Sequence, residues 1–514
     1  MNEPADLRAL VAVDLGAQSC RVSLLRWLPE GPRIQLIHRV ANAPLSLHDG
    51  LRWDLSAICA AADEGLRKCA AIAEEGIAAI GVTGWAVDYV RLDAAGNPMA
   101  DPFCYRDARN VAAMQALHHR ISPKRLYEIT GIQVLSINTL YQLYADGLAG
   151  IPKHLRWLNL PEYMLYRWGA RPVAEYTNAT HTAMVNVGTS QWSREIFNIA
   201  GLDLAAAPEI VAPGTIVGKL RGPLAGMPAL HDALLIAPAC HDTASAIAGI
   251  AAEGDDWAFL SSGTWSLVGS LLEKPCAGPD AAHFNFSNEG AAGGNICFLR
   301  NVSGLWLLQQ CMESWIAAGE LLTLESIVEA AGKLAAPPHL LDVDDPELLS
   351  LQNMPQRILD SLRCKHPENS QNYPRTPAAI ANLVLHSLAA RYAAVLQQAE
   401  QLTGKRFKRL HIVGGGSRND LLNHLTQQTT GLELTLGAME SSTLGNFAVQ
   451  LAALEKPSVA TATVGHENIS KWAKVLADTC LSAEGLPRKS SVVASVTNVS
   501  TSQVLTQTYE GSHP

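Results

Sequence analysis

Two aspartates stand where a carboxylate can do chemistry. Asp14 follows the apolar run Val11-Ala12-Val13 and precedes Gly16, Ala17, Gln18 and Ser19, small or polar residues suited to a tight turn. The pattern predicts a buried strand, a turn rich in free backbone N–H groups and a second strand over residues 21–25. A carboxylate at such a strand end can hold a divalent cation through water, and the turn amides can hold phosphate oxygens. An ordinary hairpin whose Asp caps a turn fits the same residues. Asp242 lies between an apolar run at 234–239 and a small-residue helix start at 244–252. The helix N-terminus favours its ionised form, which suits a general base toward a bound hydroxyl. A plain N-cap bonded to Ala244 or Ser245 is the competing reading.

Further stretches could serve a nucleotide or a polyol. Residues 257–260 are apolar, Ser261-Ser262-Gly263-Thr264 makes a small polar turn, and residues 265–269 return as a strand. This repeats the opening unit and suggests two similar halves with a nucleotide between them. Leu410-His411-Ile412-Val413 runs into Gly414-Gly415-Gly416, where bare backbone can approach the adenine-ribose or α-phosphate part of a nucleotide. Gly84, Trp85 and Asp88 fall where a strand over 78–82 ends, the position at which α/β sheets bind ligands. Glu175-Tyr176-Thr177-Asn178-Ala179-Thr180 suits polyol recognition but reads first as a surface loop.

The elements around these residues follow from periodicity and punctuation. A third strand is expected over 33–40. Asp54 caps an Ala-rich helix running to about residue 75, with Gly76 as its stop. The strand at 78–82 then gives a βαβ order, hence a mainly parallel or mixed sheet with helices on its faces. Helical sequence runs on to about residue 119 and, with loops, over 138–168. Asn301 to Gln310 is expected to begin an amphipathic helix. Thr376-Pro377 opens a long helix stopped by Gly404, and further helices occupy 420–429 and the stretch after Glu440. Residues 485–514 read as a mobile tail without a catalytic role.

Composition bounds the function. A chain of 514 residues implies two to four domains, and 48% hydrophobic with 17% charged residues implies large buried cores. A net charge of −9 argues against a nucleic-acid or anionic-membrane surface. No apolar run reads as long enough to span a bilayer, and MNEPADLRAL lacks the apolar segment of a secretory signal. Ten scattered cysteines without a CxxC pair suit a reduced cytoplasmic protein rather than a zinc or disulfide framework.

The stretches VAVDLGAQSCR, WAVDYVRLD, YRDAR, NTLYQL, EYTNAT, HDTASA, SSGTWSLVG, SNEG, NVSGLWLLQ, LHIVGGGSRN and ESSTLGN lie in this order over roughly residues 10–455. Together they resemble the FGGY carbohydrate kinases, which have the actin-like ATPase fold, and NTLYQL and EYTNAT are most similar to the rhamnulose-kinase branch. The resemblance implies an α/β chain of two ribonuclease-H-like domains with a central cleft. Residues 1–245 would form the sugar side, 246–480 the nucleotide side and 481–514 a flexible tail. It implies ATP-dependent phosphorylation of a ketose, L-rhamnulose at O1. A kinase for another deoxy-ketose such as L-fuculose, or a non-catalytic sugar- and ATP-binding protein, is the alternative. On this likeness Asp242 is the base, His241 and Thr243 touch the sugar, Ala86 and Asp88 belong to its pocket, and Asn301 lies near it. Ala17, Gln18, Ser19, Cys20, Arg21, Thr264, Gln309 and Gly415 would lie along ATP, and Asp14 would position Mg2+ through water. Neither nucleic acid nor membrane is an expected partner, and monomer and dimer both stay open.

Three residues depart from the family pattern. Cys20 replaces a Gly in the phosphate turn, Thr83 an Asp, and Ala86 a Gly near the sugar. One methyl in a pocket is worth ~1–3 kcal/mol of discrimination, so these changes bear on which sugar is taken more than on the reaction.

Overall fold

The computed structural model describes residues 4–349, 353–367, 373–437, 440–455 and 464–483. The expected tail at 481–514 lies almost wholly outside the described residues.

Two six-stranded sheets organise the chain. The first is built from β1 (Ala9–Leu15), β2 (Ser19–Leu28), β3 (Gly31–Ala41), β4 (Ile77–Gly84), β5 (Thr215–Lys219) and β6 (Leu234–Ala237), in the order β5-β6-β4-β1-β2-β3. The second comprises β7 (Trp257–Ser262), β8 (Ser266–Leu272), β9 (Ser287–Gly290), β10 (Ile296–Val302), β11 (Arg409–Val413) and β12 (Glu433–Leu436), in the order β9-β10-β8-β7-β11-β12. In each, three antiparallel strands continue into two parallel ones: β3-β2-β1-β4-β6 corresponds to β10-β8-β7-β11-β12. These are the two similar halves that the repeated hairpin suggested and the two ribonuclease-H-like domains that the resemblance implied. β1 and β4 are buried along their whole length, as strands covered on both faces must be. β3 stands at an edge and keeps polar residues such as Arg33 and Arg39 toward solvent.

The helices close the two lobes. α1 (Leu55–Ile72) starts where the Asp54 carboxylate accepts from the Ala57 amide, and it ends three residues short of the expected end at about residue 75. α2 (Thr139–Leu148) and α3 (Tyr176–His181) belong to the first lobe. The stretch read as a surface loop is therefore a short helix. Glu175, Thr177, Asn178 and Thr180 are buried because their polar groups find partners inside the protein, which sequence alone does not reveal. α4 (Asp242–Ala248) follows β6. Asn301 and Val302 still belong to β10, and the helix expected over 301–310 begins only as α5 (Trp306–Ala317), after a turn at Gly304 with φ +50°.

α6 (Pro377–Thr403) runs from its Thr376 cap to Gly404 as anticipated. It is long and apolar enough to cross a membrane by length and composition, contrary to the reading of the bare sequence. Its apolar surface instead packs into the second core, with Leu385, Leu388 and Tyr392 fully buried. α7 (Asp420–Thr430) flanks the second sheet. α8 (Ser441–Glu455) and α9 (His466–Ala483), although last among the described residues, pack on the first sheet. Phe447, Leu451 and Trp472 share one apolar cluster with Leu10, Ala12 and Ala78. α8 crosses α4 closely, and a Cβ at Gly445 would collide with the Ser245 carbonyl.

Candidate active site

Three strand ends converge in the first lobe. The Gly84 amide donates to the Cys240 carbonyl at 2.9 Å and the Trp85 amide to the Leu15 carbonyl at 3.1 Å. This stitches the end of β4 between the ends of β1 and β6, so that Asp14, Ala86 and Asp242 are brought to one place. The hairpin turn is closed by the Gly16 amide donating to the Ser19 carbonyl at 3.0 Å.

Asp14 is buried, and its Oδ2 accepts from Arg21 Nη2 at 2.7 Å and from Ser442 Oγ at 2.6 Å. Arg21 Nη1 donates to Glu440 Oε2 at 2.6 Å. The start of α8 is thus tied to the hairpin by a chain of charges. Asp14 Oδ1 is buried without a hydrogen-bond partner among the described residues. A carboxylate oxygen left open in this way fits a hydrated divalent cation, which is a hard, oxygen-seeking ion.

Asp242 occupies the first position of α4 and is not an N-cap toward Ala244 or Ser245. Its Oδ1 accepts from Thr243 Oγ1 at 3.2 Å and lies 3.5 Å from His241 Nε2. Its side chain keeps 34% of its surface exposed. The helix terminus does not hold it in the ordinary carboxylate range as expected. The recess it sits in, and then the negative Asp14 nearby, push its carboxyl up to about 7, outweighing the Thr243 donors and Arg21. A carboxylate poised there matches the driving force that general-base catalysis needs near neutrality.

The turn bearing this acid is anchored from α3. Glu175 accepts from the Cys240 amide at 2.7 Å and from the Thr177 hydroxyl, while Thr177 Oγ1 accepts from the His241 amide at 3.0 Å. Burial raises the Glu175 carboxyl to about 8. His241 is buried, and burial and then the neighbouring His181 push its imidazole well below the usual range, so it is neutral.

The wall over residues 85–88 is equally fixed. Val87 adopts φ +72°, an unusual conformation for a β-branched residue. Its carbonyl accepts from Thr139 Oγ1 at 2.7 Å and from Gln142 Nε2 at 3.3 Å. Asp88 is fully buried and accepts from Trp53 Nε1 (2.6 Å), Trp85 Nε1 (3.0 Å), the Tyr105 amide (3.1 Å) and Gln142 Nε2 (2.9 Å). Burial raises its carboxyl to about 6 despite these donors. Among the expected sugar contacts, Asp88 is thus a buttress whose oxygens are already engaged. Thr83 is buried beside Asp14 across the β1–β4 pair, within the sheet.

Cys20 lies beside the turn expected to hold phosphate. Its side chain points into the first core beside Val22 and Trp53, where burial pushes the thiol up to about 12. Only its backbone is left for a phosphate, and the thiol does not crowd the turn. Ala17 and Gln18 form the turn itself, and Ser19 opens β2. The Arg21 guanidinium, in the stretch expected along ATP, is engaged by Asp14 and Glu440.

The nucleotide candidates gather at the matching end of the second sheet. Thr264 Oγ1 donates to Gln309 Oε1 at 3.3 Å, and the amides of Leu305 and Trp306 donate to the carbonyls of Gly263 and Thr264. Gly416 packs so tightly on Ser262 that a Cβ there would collide with it, whereas a Cβ at Gly415 would meet open space. This leaves bare backbone beside the turn at 263–265, a surface that fits a nucleotide.

The two lobes touch around the site. Asn301 Nδ2 donates to Gln133 Oε1 at 3.0 Å, the Gly290 amide donates to Thr180 Oγ1 at 2.9 Å, and the Arg106 guanidinium lies 4.4 Å from the Trp306 ring centroid. Sequence reasoning gave no role to Gln133, Thr139, Gln142, Glu440 or Ser442, and offered Glu175 and Thr177 only as part of a loop suited to polyols. All but Gln133 sit inside motifs quoted for the resemblance, and only tertiary contacts disclose what they hold.

Comparison with known proteins agrees with this geometry. Residues 9–249 match the N-terminal domain of the FGGY family of carbohydrate kinases, and residues 258–454 match its C-terminal domain. A rhamnulokinase of Enterococcus faecalis is 36% identical over 457 residues, covering 88% of this chain and 90% of the relative. One from Enterobacter sp. strain 638 is 37% identical over 458 residues, covering 88% and 90%. Among solved structures, a ligand-bound xylulose kinase of Lactobacillus acidophilus superposes with a TM-score of 0.69 at 15% identity, covering 93% of this chain and 98% of that one. Such likeness over nearly the whole chain, with two matching sheets and an acid set at their junction, has one reading: the chain is a carbohydrate kinase and belongs to the FGGY family.

Proposed function

We propose that the enzyme transfers the γ-phosphoryl group of ATP to the O1 hydroxyl of L-rhamnulose, giving L-rhamnulose 1-phosphate in rhamnose breakdown. The observation that carries the chemistry is Asp242, a partly exposed carboxyl raised to about 7 beside Asp14. The choice of sugar rests on the two rhamnulokinases matched over 88% of the chain.

Asp242 accepts the O1 proton as that oxygen attacks phosphorus. His241, Thr243 and Asn301 orient the sugar, Ala86 narrows its pocket, and Asp88 holds the wall behind it. The backbone of residues 17–20, Arg21, Thr264, Gln309 and Gly415 lie along ATP. Asp14, whose Oδ1 is left without a partner among the described residues, would hold hydrated Mg2+. ATP with its cation supplies the transferable group and spreads the charge that develops during transfer. Thr264 and Gln309 fix the far end of the nucleotide, while closure of the lobes excludes water so that transfer outruns hydrolysis. We place the working boundary between lobes near residue 245 and the reaction in the cytoplasm, in keeping with nine free described cysteines.

A coupled assay over a panel of ketoses tests the reading. L-rhamnulose should give the highest kcat/KM. If it ranks among the poorest and L-fuculose leads, the sugar is the other deoxy-ketose. If sugar and ATP bind but no sugar phosphate forms, the catalytic assignment fails.

A further inference from the structure

One cluster of ligating side chains lies beside the proposed chemistry, which uses only one of its three members, His241. His181 ends α3 and His241 precedes α4, both in the first lobe, while Glu289 comes from β9 of the second sheet. One ring nitrogen of each histidine and a carboxylate oxygen of Glu289 lie within 4.8 Å of one another. His181 Nε2 is 2.9 Å from Glu289 Oε2, and the two imidazole rings are 4.0 Å apart between centroids. His241 and Glu289 are buried. His181 Nε2 is buried too, yet it makes no well-aligned hydrogen bond among the described residues. A nitrogen beside a carboxylate but not aimed at it as a donor has the geometry of a ligand awaiting a shared ion.

We propose that His181, His241 and Glu289 form a site for a borderline divalent transition metal, Zn2+ or one like it, spanning the two lobes. Two imidazoles and one carboxylate are a donor set for such metals, whereas Mg2+ prefers all-oxygen surroundings and keeps its waters. The site is therefore chemically separate from the cation that accompanies ATP. Its backbone frame is already fixed, because the Gly290 amide donates to Thr180 Oγ1 at 2.9 Å next to the cluster. Filling the site joins the lobes and removes His241 from the sugar, so the metal inhibits. That last consequence rests on the proposed sugar contact of His241, while the metal site itself does not.

The test uses the full chain, stripped with a chelator and free of ATP, titrated with Co2+ as the spectroscopic probe. One Co2+ per chain should give visible d–d bands that Zn2+ abolishes by competition. Glu289→Gln and His181→Asn should each weaken binding at least about tenfold, the scale seen even for residues that only support a metal ligand. Cys364→Ser, which removes an exposed thiol, should leave binding unchanged. Zn2+ should raise the melting temperature of the unaltered chain and of neither site variant. If one variant fails to fold, the other decides. Absence of saturable bands, or equal affinity in a folded variant, overturns the site. Stoichiometric binding without competition against the sugar upholds the site and overturns the sugar role of His241.

Discussion

The hairpin at residues 14–21 and the hairpin at residues 262–266 are the same supersecondary unit, each with a parallel strand beside its first arm. Their equipment differs. The first carries Asp14 and Arg21, linked to Glu440 and Ser442 from the far end of the chain and close enough to raise the carboxyl of Asp242. The second carries Ser262, Thr264 and Ser266 and is packed against glycines. One copy concentrates charge and the other offers hydroxyls and bare backbone. The division matches a reaction in which charge must be managed where phosphorus is attacked, while the rest of the nucleotide needs only shape and neutral hydrogen bonds.

The comparison breaks most visibly at Asp242. Asp242→Asn should lower kcat by ~10²–10⁴ with little change in KM, measured by the coupled assay, because it removes a positioned base. Next, Thr177→Val leaves the His241 amide without a partner and removes one of the two donors to Glu175 Oε2. This should cost about 1–3 kcal/mol of stability, read by urea unfolding, and no equivalent loss is expected from a hydroxyl on the second hairpin that faces ligand. Gly415→Ala probes the other lobe. The space there is open, so the melting temperature should hold while KM for ATP rises by up to about tenfold, ~1.4 kcal/mol.

The smallest effect is on pH. Activity requires the Asp242 carboxylate, so kcat/KM should fall as pH drops through about 7. Removing the like charge with Asp14→Asn should move that acid limb to lower pH, since Arg21 remains to favour the ionised form. An unmoved limb would separate the two aspartates and erase the contrast between the hairpins.

The sequence exposed some of this and hid the rest for physical reasons. Strand β1, its turn, the Asp54 and Thr376 caps and the strand running into three glycines were legible because periodicity and capping are local. The Glu175–Thr177 clasp was not, since a run of hydroxyls and amides looks the same whether it meets water or buried amides 65 residues away. Nor could spacing tell that Asp88 is saturated by two indoles, a backbone amide and Gln142, or that Cys20 faces the core. The charge state of Asp242 also misled. A helix terminus argues for an ordinary carboxylate, and only the assembled site brings the recess and the second acid that reverse it.

The last helices have a bearing on synthesis. Because α8 and α9 cover Leu10, Ala12 and Ala78 of the first sheet, that sheet, complete at residue 237, stays uncovered until about two hundred further residues have been translated. A nascent chain in that interval presents a bare apolar sheet face, the kind of surface that chaperones recognise and that aggregates when left alone. A stop codon shortly before residue 441 should therefore yield an insoluble product rather than a shortened kinase.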